Sequence, residues 1–324
     1  MICAPQPRHK GGVMMSTARR HAAPKPRASV LNLEPCPISA IASSMAETPP
    51  QIFDRELYLA RQAKASAEIL GNVYAHVTTD LDERLSVINH QFAKVLLLAP
   101  AAEPFLTTLK MTGKCHDITF IKPQAGEALD LPPLHYDAVF HLLDLHCVND
   151  IPGQLAQCAR ALKPDGLFMA CFFAGETLHE LREAWLSAES ELRGGVSLRV
   201  APMVSLRELG GLLQRAGLAL PVADAERLNL RYADPLRLLH EVKEAGFANP
   251  MHERAKGLSS PQLLAALIET YAGMFAEPDG RVRATLELGW ALAWKPHESQ
   301  QKPLKPGSAS QSLAEALNPL KAFE

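Results

Sequence analysis

The sequence predicts an α/β fold, a mostly parallel, doubly wound sheet with a reversed strand near one edge and a helical insert. Three observations predict it. Residues 136–183 read as strand, loop, helix, tight turn, strand, loop, helix, and a strand, crossover helix and strand of this length form a right-handed parallel unit. Residues 282–294 alternate, with Val282, Ala284, Leu286, Leu288, Trp290, Leu292 and Trp294 on one face of a long strand. Between these lie two helices that start at Asp234-Pro235 and Ser260-Pro261, each with proline in the first turn, where its missing N–H costs nothing.

Each element has its own signal. Phe53-Asp54-Arg55 opens a helix running to about His76, and a second helix fills 80–91. Lys94–Leu98 and Ile118–Ile121 are short buried strands. Tyr136–Leu142 is an apolar run of the kind buried on both faces, and Ile151, Leu155, Cys158 and Leu162 recur at helical spacing. Lys163-Pro164-Asp165-Gly166 suits a type I turn, with Leu167–Phe173 a second buried strand. Thr177 and Glu180 have capping-box spacing, followed by a buried stripe of Leu178, Leu181, Trp185, Ala188 and Leu192. Gly194-Gly195 ends that helix. Ser205 and Glu208 make another capping box with a Val204–Leu209 staple, and 218–232 is extended. The helical insert spans about 233–278.

At 324 residues and 47% hydrophobic content the chain can bury one large core. Its net charge of −2 points to neither nucleic acid nor an acidic membrane. No apolar run approaches the ~20 residues that span a bilayer. Cys3, Cys36, Cys115, Cys147, Cys158 and Cys171 form no C-x-x-C pair and read as reduced residues, without a metal. Residues 1–48 are basic and proline-rich, and are expected to be disordered or to precede a start at Met45, with an organelle-targeting peptide as the alternative. Residues 49–300 form the domain and 301–324 a polar tail, with a short helix near 311–317.

Several strings are more specific than the layout. Phe53-Asp54-Arg55, Leu145-His146-Cys147-Val148-Asn149-Asp150-Ile151-Pro152, Leu162-Lys163-Pro164-Asp165-Gly166, Gly175-Glu176-Thr177-Leu178, Glu180-Leu181-Arg182, Gly194-Gly195-Val196-Ser197 and His297-Glu298-Ser299-Gln300 occur in order. Over roughly 53–317 the chain resembles the class I S-adenosylmethionine-dependent methyltransferases, and within them the family of the mitochondrial complex I assembly factor and its alphaproteobacterial relatives. That resemblance implies a Rossmann-like class I methyltransferase fold, S-adenosyl-L-methionine as cofactor and a protein partner or substrate. In the mitochondrial branch it implies modification of an arginine of a complex I subunit, described as hydroxylation. It also implies a bacterial cytoplasmic setting, with the mitochondrial matrix as the alternative.

The cofactor signature departs from that family. A class I methyltransferase carries D-x-G-x-G-x-G after its first strand, because the methionine end of the cofactor lies where a Cβ would obstruct it. Here the stretch is Leu96-Leu97-Leu98-Ala99-Pro100-Ala101-Ala102-Glu103-Pro104, with no glycine between Gly71 and Gly113. From Leu97 to Asp137 there is also too little chain for the usual two further strands, so one strand-helix unit is missing or shortened. The acid that grips the cofactor ribose has no fixed counterpart, as Ile121 is followed by Lys122-Pro123, Glu127 and Asp130 lie nearby, and Asp117 precedes its strand.

Ligands of open parallel sheets bind beyond the carboxyl ends of strands, so Asp144, Leu145 and His146 are the candidate cofactor-binding pocket edge, His146 having local packing as its simpler role. Asn149-Asp150 cap the next helix. Cys147 stands where the family has tryptophan, and points away from His146 on an extended segment, which argues against a cysteine nucleophile. Trp290 and Trp294 read as core, His297-Glu298-Ser299 as a surface element, and Arg227, Arg231 and Arg237 as a solvated face or a contact for an acidic partner. No catalytic residue is identified. Two functions stand: a methyltransferase-family enzyme acting on a protein partner, or a degenerate member of that fold that binds and assembles without S-adenosylmethionine.

Overall fold

Short apolar runs become the buried strands of one sheet, and the amphipathic stretches become the helices on its two faces. A computed structural model describes residues 51–301, 307, 308 and 312. The expectations for 1–48, for Cys3 and Cys36, and for a helix near 311–317 lie outside these residues. All described residues fall in the unit Pro49–Glu324. Along the chain come α1 (Arg55–Gln62), α2 (Ala67–Ser86), β1 (Phe92–Leu98), α3 (Glu103–Met111), β2 (Cys115–Ile121), β3 (Tyr136–Leu142), α4 (Ile151–Ala161) and β4 (Leu162–Phe173). Then follow α5 (His179–Arg193), α6 (Leu206–Arg215), β5 (Ala219–Tyr232), α7 (Pro235–Glu244), α8 (Pro261–Phe275) and β6 (Val282–Trp294).

The strand order is β2-β1-β3-β4-β6-β5. The first four strands pair in parallel, and β6 runs antiparallel to both β4 and β5. Alternation along the central strands builds a core on each face. Val95, Leu97, Phe140, Leu167 and Met169 meet Val77 and Leu81 of α2 and Phe105 of α3. Leu96, Leu98, Val139, Phe168 and Ala170 meet Leu155 and Cys158 of α4 and Leu209 and Leu213 of α6. This is the doubly wound α/β fold with a reversed strand near one edge. The helical insert α7 and α8 joins α5 and the ends of β5 and β6 in a third cluster around Leu181, Trp185, Leu238, Leu267 and Tyr271.

The strand-helix unit that the spacing predicts to be missing is absent from the connection 122–135, which carries neither helix nor strand. That connection is laced onto α4 instead. The Gln154 and Gln157 side-chain amides donate to the Glu127 carbonyl at 2.8 and 3.2 Å, and the Leu129 N–H donates to Gln157 Oε1 at 2.6 Å. The Leu134 and His135 N–H groups donate to the Arg160 and Ala161 carbonyls, so the α4 C-terminal carbonyls are satisfied by the same loop.

Several local expectations are corrected. The first helix stops at Gln62, because Ser66 starts α2 by accepting the Ile69 N–H, and α2 runs only to Ser86. β1 and β2 begin earlier than expected, at Phe92 and Cys115, so Asp117 lies within its strand. β4 begins already at Leu162, with an irregular register up to Leu167, so 163–166 form no separate type I turn, and Asp165 within it has φ +63°. Gly166 is required beside it, since a Cβ there would sit 2.8 Å from the Lys163 carbonyl oxygen. Leu192 is 52% exposed, outside the buried stripe.

Thr177 and Glu180 form no capping box. Leu178 is the N-cap of α5, with φ +54° and no side-chain cap. The two side chains turn instead to the neighbouring strand β6. Thr177 Oγ1 donates to the Glu287 carbonyl and accepts its N–H, both at 3.1 Å. Glu180, fully buried, accepts from the Thr285 N–H at 2.9 Å and Oγ1 at 2.7 Å. A capping acid would be worth ~1 kcal/mol, whereas removing a buried carboxylate that satisfies two donors costs more. Glu180→Ala is therefore expected to lower stability by about 3 kcal/mol in urea unfolding. A loss near 1 kcal/mol would assign it the capping role instead.

Candidate functional site

At the carboxyl ends of β1, β2 and β3 the chain places a buried cation. Asp54 starts α1 by accepting the Leu57 N–H at 3.0 Å, and the next residue, Arg55, turns inward and is 5% exposed. Its guanidinium donates to both Asp144 carboxylate oxygens, at 2.9 and 3.0 Å. It also donates to the carbonyls of Cys147 and Gln124, each at 3.3 Å. Burial pulls the Arg55 pKa down, but the Asp144 carboxylate outweighs it and the net direction is up. The fork geometry of the pair is the strong form of a charge-assisted bond. The Arg55 Nε has no hydrogen-bond partner and lies 4.0 Å from Glu127 Oε1.

Glu127, one of the two acids near the expected ribose position, is engaged elsewhere. Its carboxylate accepts the N–H groups of Asn149 and Asp150 at 2.7 and 2.8 Å, at the entry to α4, where negative charge is favoured. Asp150 caps α4 through the Gly153 N–H, as expected. Asn149 does not cap; its side chain bonds the Phe53 N–H and carbonyl. The string from Phe53 to Arg55 is thereby tied to the loop after β3.

Asp144, Leu145 and His146 are all buried, at 3, 1 and 4% exposure, and they face different surroundings. Asp144 lines a cavity of about 560 Å³ together with Arg55, Leu98, Ile121, His141 and Gln154. Leu145 packs in the core beside Leu155 and Val148. His146 lines a second cavity, of about 640 Å³, which opens between the end of β4, α1, and the insert. Its ring lies edge-on to Phe173 at 4.9 Å and to Tyr58 at 5.9 Å, and neither nitrogen has a hydrogen-bond partner. Asp144 and His146 thus line different cavities, and Leu145 lines neither of the two. Residue patterns did not single out His141 or Gln154; Arg55 was visible only as part of a string.

The other candidates resolve simply. Cys147 is buried, and burial pushes its thiol far above the ordinary range, which disfavours the thiolate that a nucleophile needs. The Cys115 thiol is pushed up to about 11 and Cys158 to about 12, again first by burial. Trp290 is buried in the core and Trp294 packs against it. Arg227 pairs with Glu287, and Arg231 with Glu277 and Asp279. Gln300 donates to Asp165 Oδ1 at 2.9 Å, pinning the His-Glu-Ser-Gln segment to the β4 turn. Among the described residues no cluster of His, Cys, Asp and Glu could hold a metal, and no helix is long and apolar enough to cross a membrane.

Residues 85–170, which contain β1 to the middle of β4, match the methyltransferase domain family. This stretch is similar to methyltransferase domains. Over 180 residues it is 37% identical to the mitochondrial arginine-hydroxylase NDUFAF5 of Danio rerio, covering 56% of each chain. The human protein of the same name is also 37% identical over 180 residues, 56% of this chain and 52% of that one. A malonyl-(acyl-carrier protein) O-methyltransferase of Halorhodospira halophila is 35% identical over 167 residues, 52% of this chain and 55% of the other. The chain thus spans about half the length of the curated relatives it matches.

A methyltransferase domain implies S-adenosylmethionine, and the residues here do not provide its cradle. In the turn from β1 to α3, only Leu98 lines the 560 Å³ cavity; Ala99, Pro100, Ala101 and Ala102 do not. Ala99 is fully buried in the core beneath the turn, and Ala102 is the N-cap of α3 with no side-chain bond. Ala99, Ala101 and Glu103 stand where glycines would let the ligand approach, and Pro100 and Pro104 lack N–H donors. At the end of β2 stands the exposed Lys122, and Asp130, the other acid near the expected ribose position, lines the cavity from the connection that follows.

The buried histidines set a pH dependence. Burial lowers the His146 pKa from 6.5 to about 4, and that of His141 in the same direction. Below pH 6.5 the unfolded chain gains a proton at His146 that the folded chain refuses until about pH 4, so its contribution is present above 6.5 and lost as the pH falls. In urea unfolding across pH 7.5 to ~4.5, His146→Phe is expected to flatten the decline by close to one proton. An unchanged slope would place the refused proton elsewhere.

Proposed function

We propose that this chain is a methyltransferase-fold protein that works by binding a protein partner, and that it has given up the S-adenosylmethionine site. The observation that carries this reading is the β1–α3 turn: glycine-free, two prolines long, and set back from the cavity it should cradle. Methyl transfer needs little acid-base machinery, but it needs the cofactor held in line with its acceptor. A chain that cannot hold the sulfonium has no substitute for it. What the fold retains is a framed cavity at the end of β4 and a helical insert beside it. The relatives named as arginine-hydroxylases, and the resemblance to a complex I assembly factor, support a protein as that partner. A bacterial cytoplasmic setting accords with the same resemblance.

A second reading has its own support. The 560 Å³ cavity lies beyond the carboxyl ends of β1, β2 and β3, where cofactors of this fold bind, and is within the size of small-molecule sites. On that reading the chain uses S-adenosylmethionine to modify a protein. Calorimetric titration of the full chain with S-adenosylmethionine and S-adenosylhomocysteine separates the two. The proposal predicts no heat and no thermal stabilisation at millimolar ligand. Micromolar binding of either compound would replace it with the second reading.

A further inference from the structure

The second cavity differs from the first in kind. Its walls are aromatic and aliphatic, with Phe173, Trp185, Leu181, Leu238 and Phe247 among them. Its charges are nearly all of one sign: Arg61, Arg199, Lys243, Arg254 and Lys256 line it against the single acid Glu241. In a chain of net charge −2 this is a local reversal.

Neutralisation is incomplete. Arg199 pairs with Glu189 and Arg254 with Asp54. Arg61 donates only to the carbonyls of Ala248 and Asn249, both at 2.8 Å. Lys243 and Lys256 are exposed and form no ion pair among the described residues. Burial, and then the nearby Arg254, lower the Arg61 pKa against the opposing pull of Asp54. Glu241 already accepts the Tyr232 hydroxyl at 3.0 Å.

We propose that this cavity binds an amphipathic anion, an acyl carboxylate whose chain fills the apolar hollow and whose head meets Arg61, Lys243 and Lys256. Apolar walls favour the chain, and unpaired cations favour a carboxylate over a neutral or cationic head. A volume of about 640 Å³ accommodates a medium-length chain. The proposal goes beyond the function given above and stands whether or not S-adenosylmethionine binds, because the two cavities have different walls.

The test titrates the full chain with dodecanoate, below its micellar concentration, and with dodecyltrimethylammonium as the cationic counterpart. Calorimetry measures affinity, and the fluorescence of Trp185 reports occupancy of the cavity wall. Dodecanoate is expected to bind and the cation to bind at least about tenfold more weakly. Octanoate should bind more weakly than dodecanoate by roughly fourfold per missing methylene. The double variant Lys243→Glu/Lys256→Glu, at two exposed positions that leave the core intact, should weaken dodecanoate about tenfold. In Trp185→Phe the binding heat should persist while the fluorescence response disappears. Equal binding of anion and cation, an affinity unchanged by the charge reversal, or no binding of dodecanoate would overturn the proposal.

Discussion

The pair Arg55–Asp144 is the constraint on which the site depends. One guanidinium joins the first turn of α1, the loop after β3 and the β2–β3 connection, through Asp144, Cys147 and Gln124. Around it, Glu127 holds the entry to α4 and Asn149 holds Phe53. Taking two charges out of water is costly, and such a pair persists when its remaining donors and acceptors are satisfied. Here the carbonyls of Cys147 and Gln124 take further donors of the guanidinium, and its Nε, without a hydrogen-bond partner, lies 4.0 Å from the Glu127 carboxylate. The shortened connection, with no strand or helix of its own, keeps its place because this polar junction and the α4 glutamines hold it.

The same junction separates the two cavities. Asp144 faces the one at the ends of β1 to β3, and His146, two residues on, faces the one near the insert. The first carries the charges of Arg55 and Asp144 already spent on each other. The second is lined by five cations against the single acid Glu241. The residues of the turn after β1 serve the helix that follows: Glu103 gives the first turn of α3 negative charge and Pro104 sits at its start. The turn reads as a sound helix entry, and as a poor cradle.

Much of the fold was legible because its signals are local. The apolar runs at 136–142 and 167–173, the alternation from Val282 to Trp294, and Asp234-Pro235 and Ser260-Pro261 each specify an element within a few residues. The missing strand-helix unit was legible from length alone. What failed were readings in which a local motif competes with tertiary demand. Thr177 and Glu180 have capping-box spacing, yet the adjacent β6 offers both side chains buried backbone partners that a helix end does not. Ser66 splits a helical pattern that looks continuous. Of the site, the loop Asp144–His146 was visible from strand polarity, while its division between two cavities was not. Arg55 could not be paired with Asp144 from sequence, since 89 residues separate them.

The account stands on that pair, and a double-mutant cycle tests it most directly. Arg55→Met, Asp144→Asn and the double variant would be compared with the parent chain in urea unfolding. Each single substitution is predicted to cost about 3–5 kcal/mol, by leaving one charge or its partners buried and unpaired. The double variant is predicted to cost no more than the worse single one, a coupling of at least ~2 kcal/mol. Single losses below ~1 kcal/mol that simply add would contradict it, and would show that the connection and the site hold together without this junction.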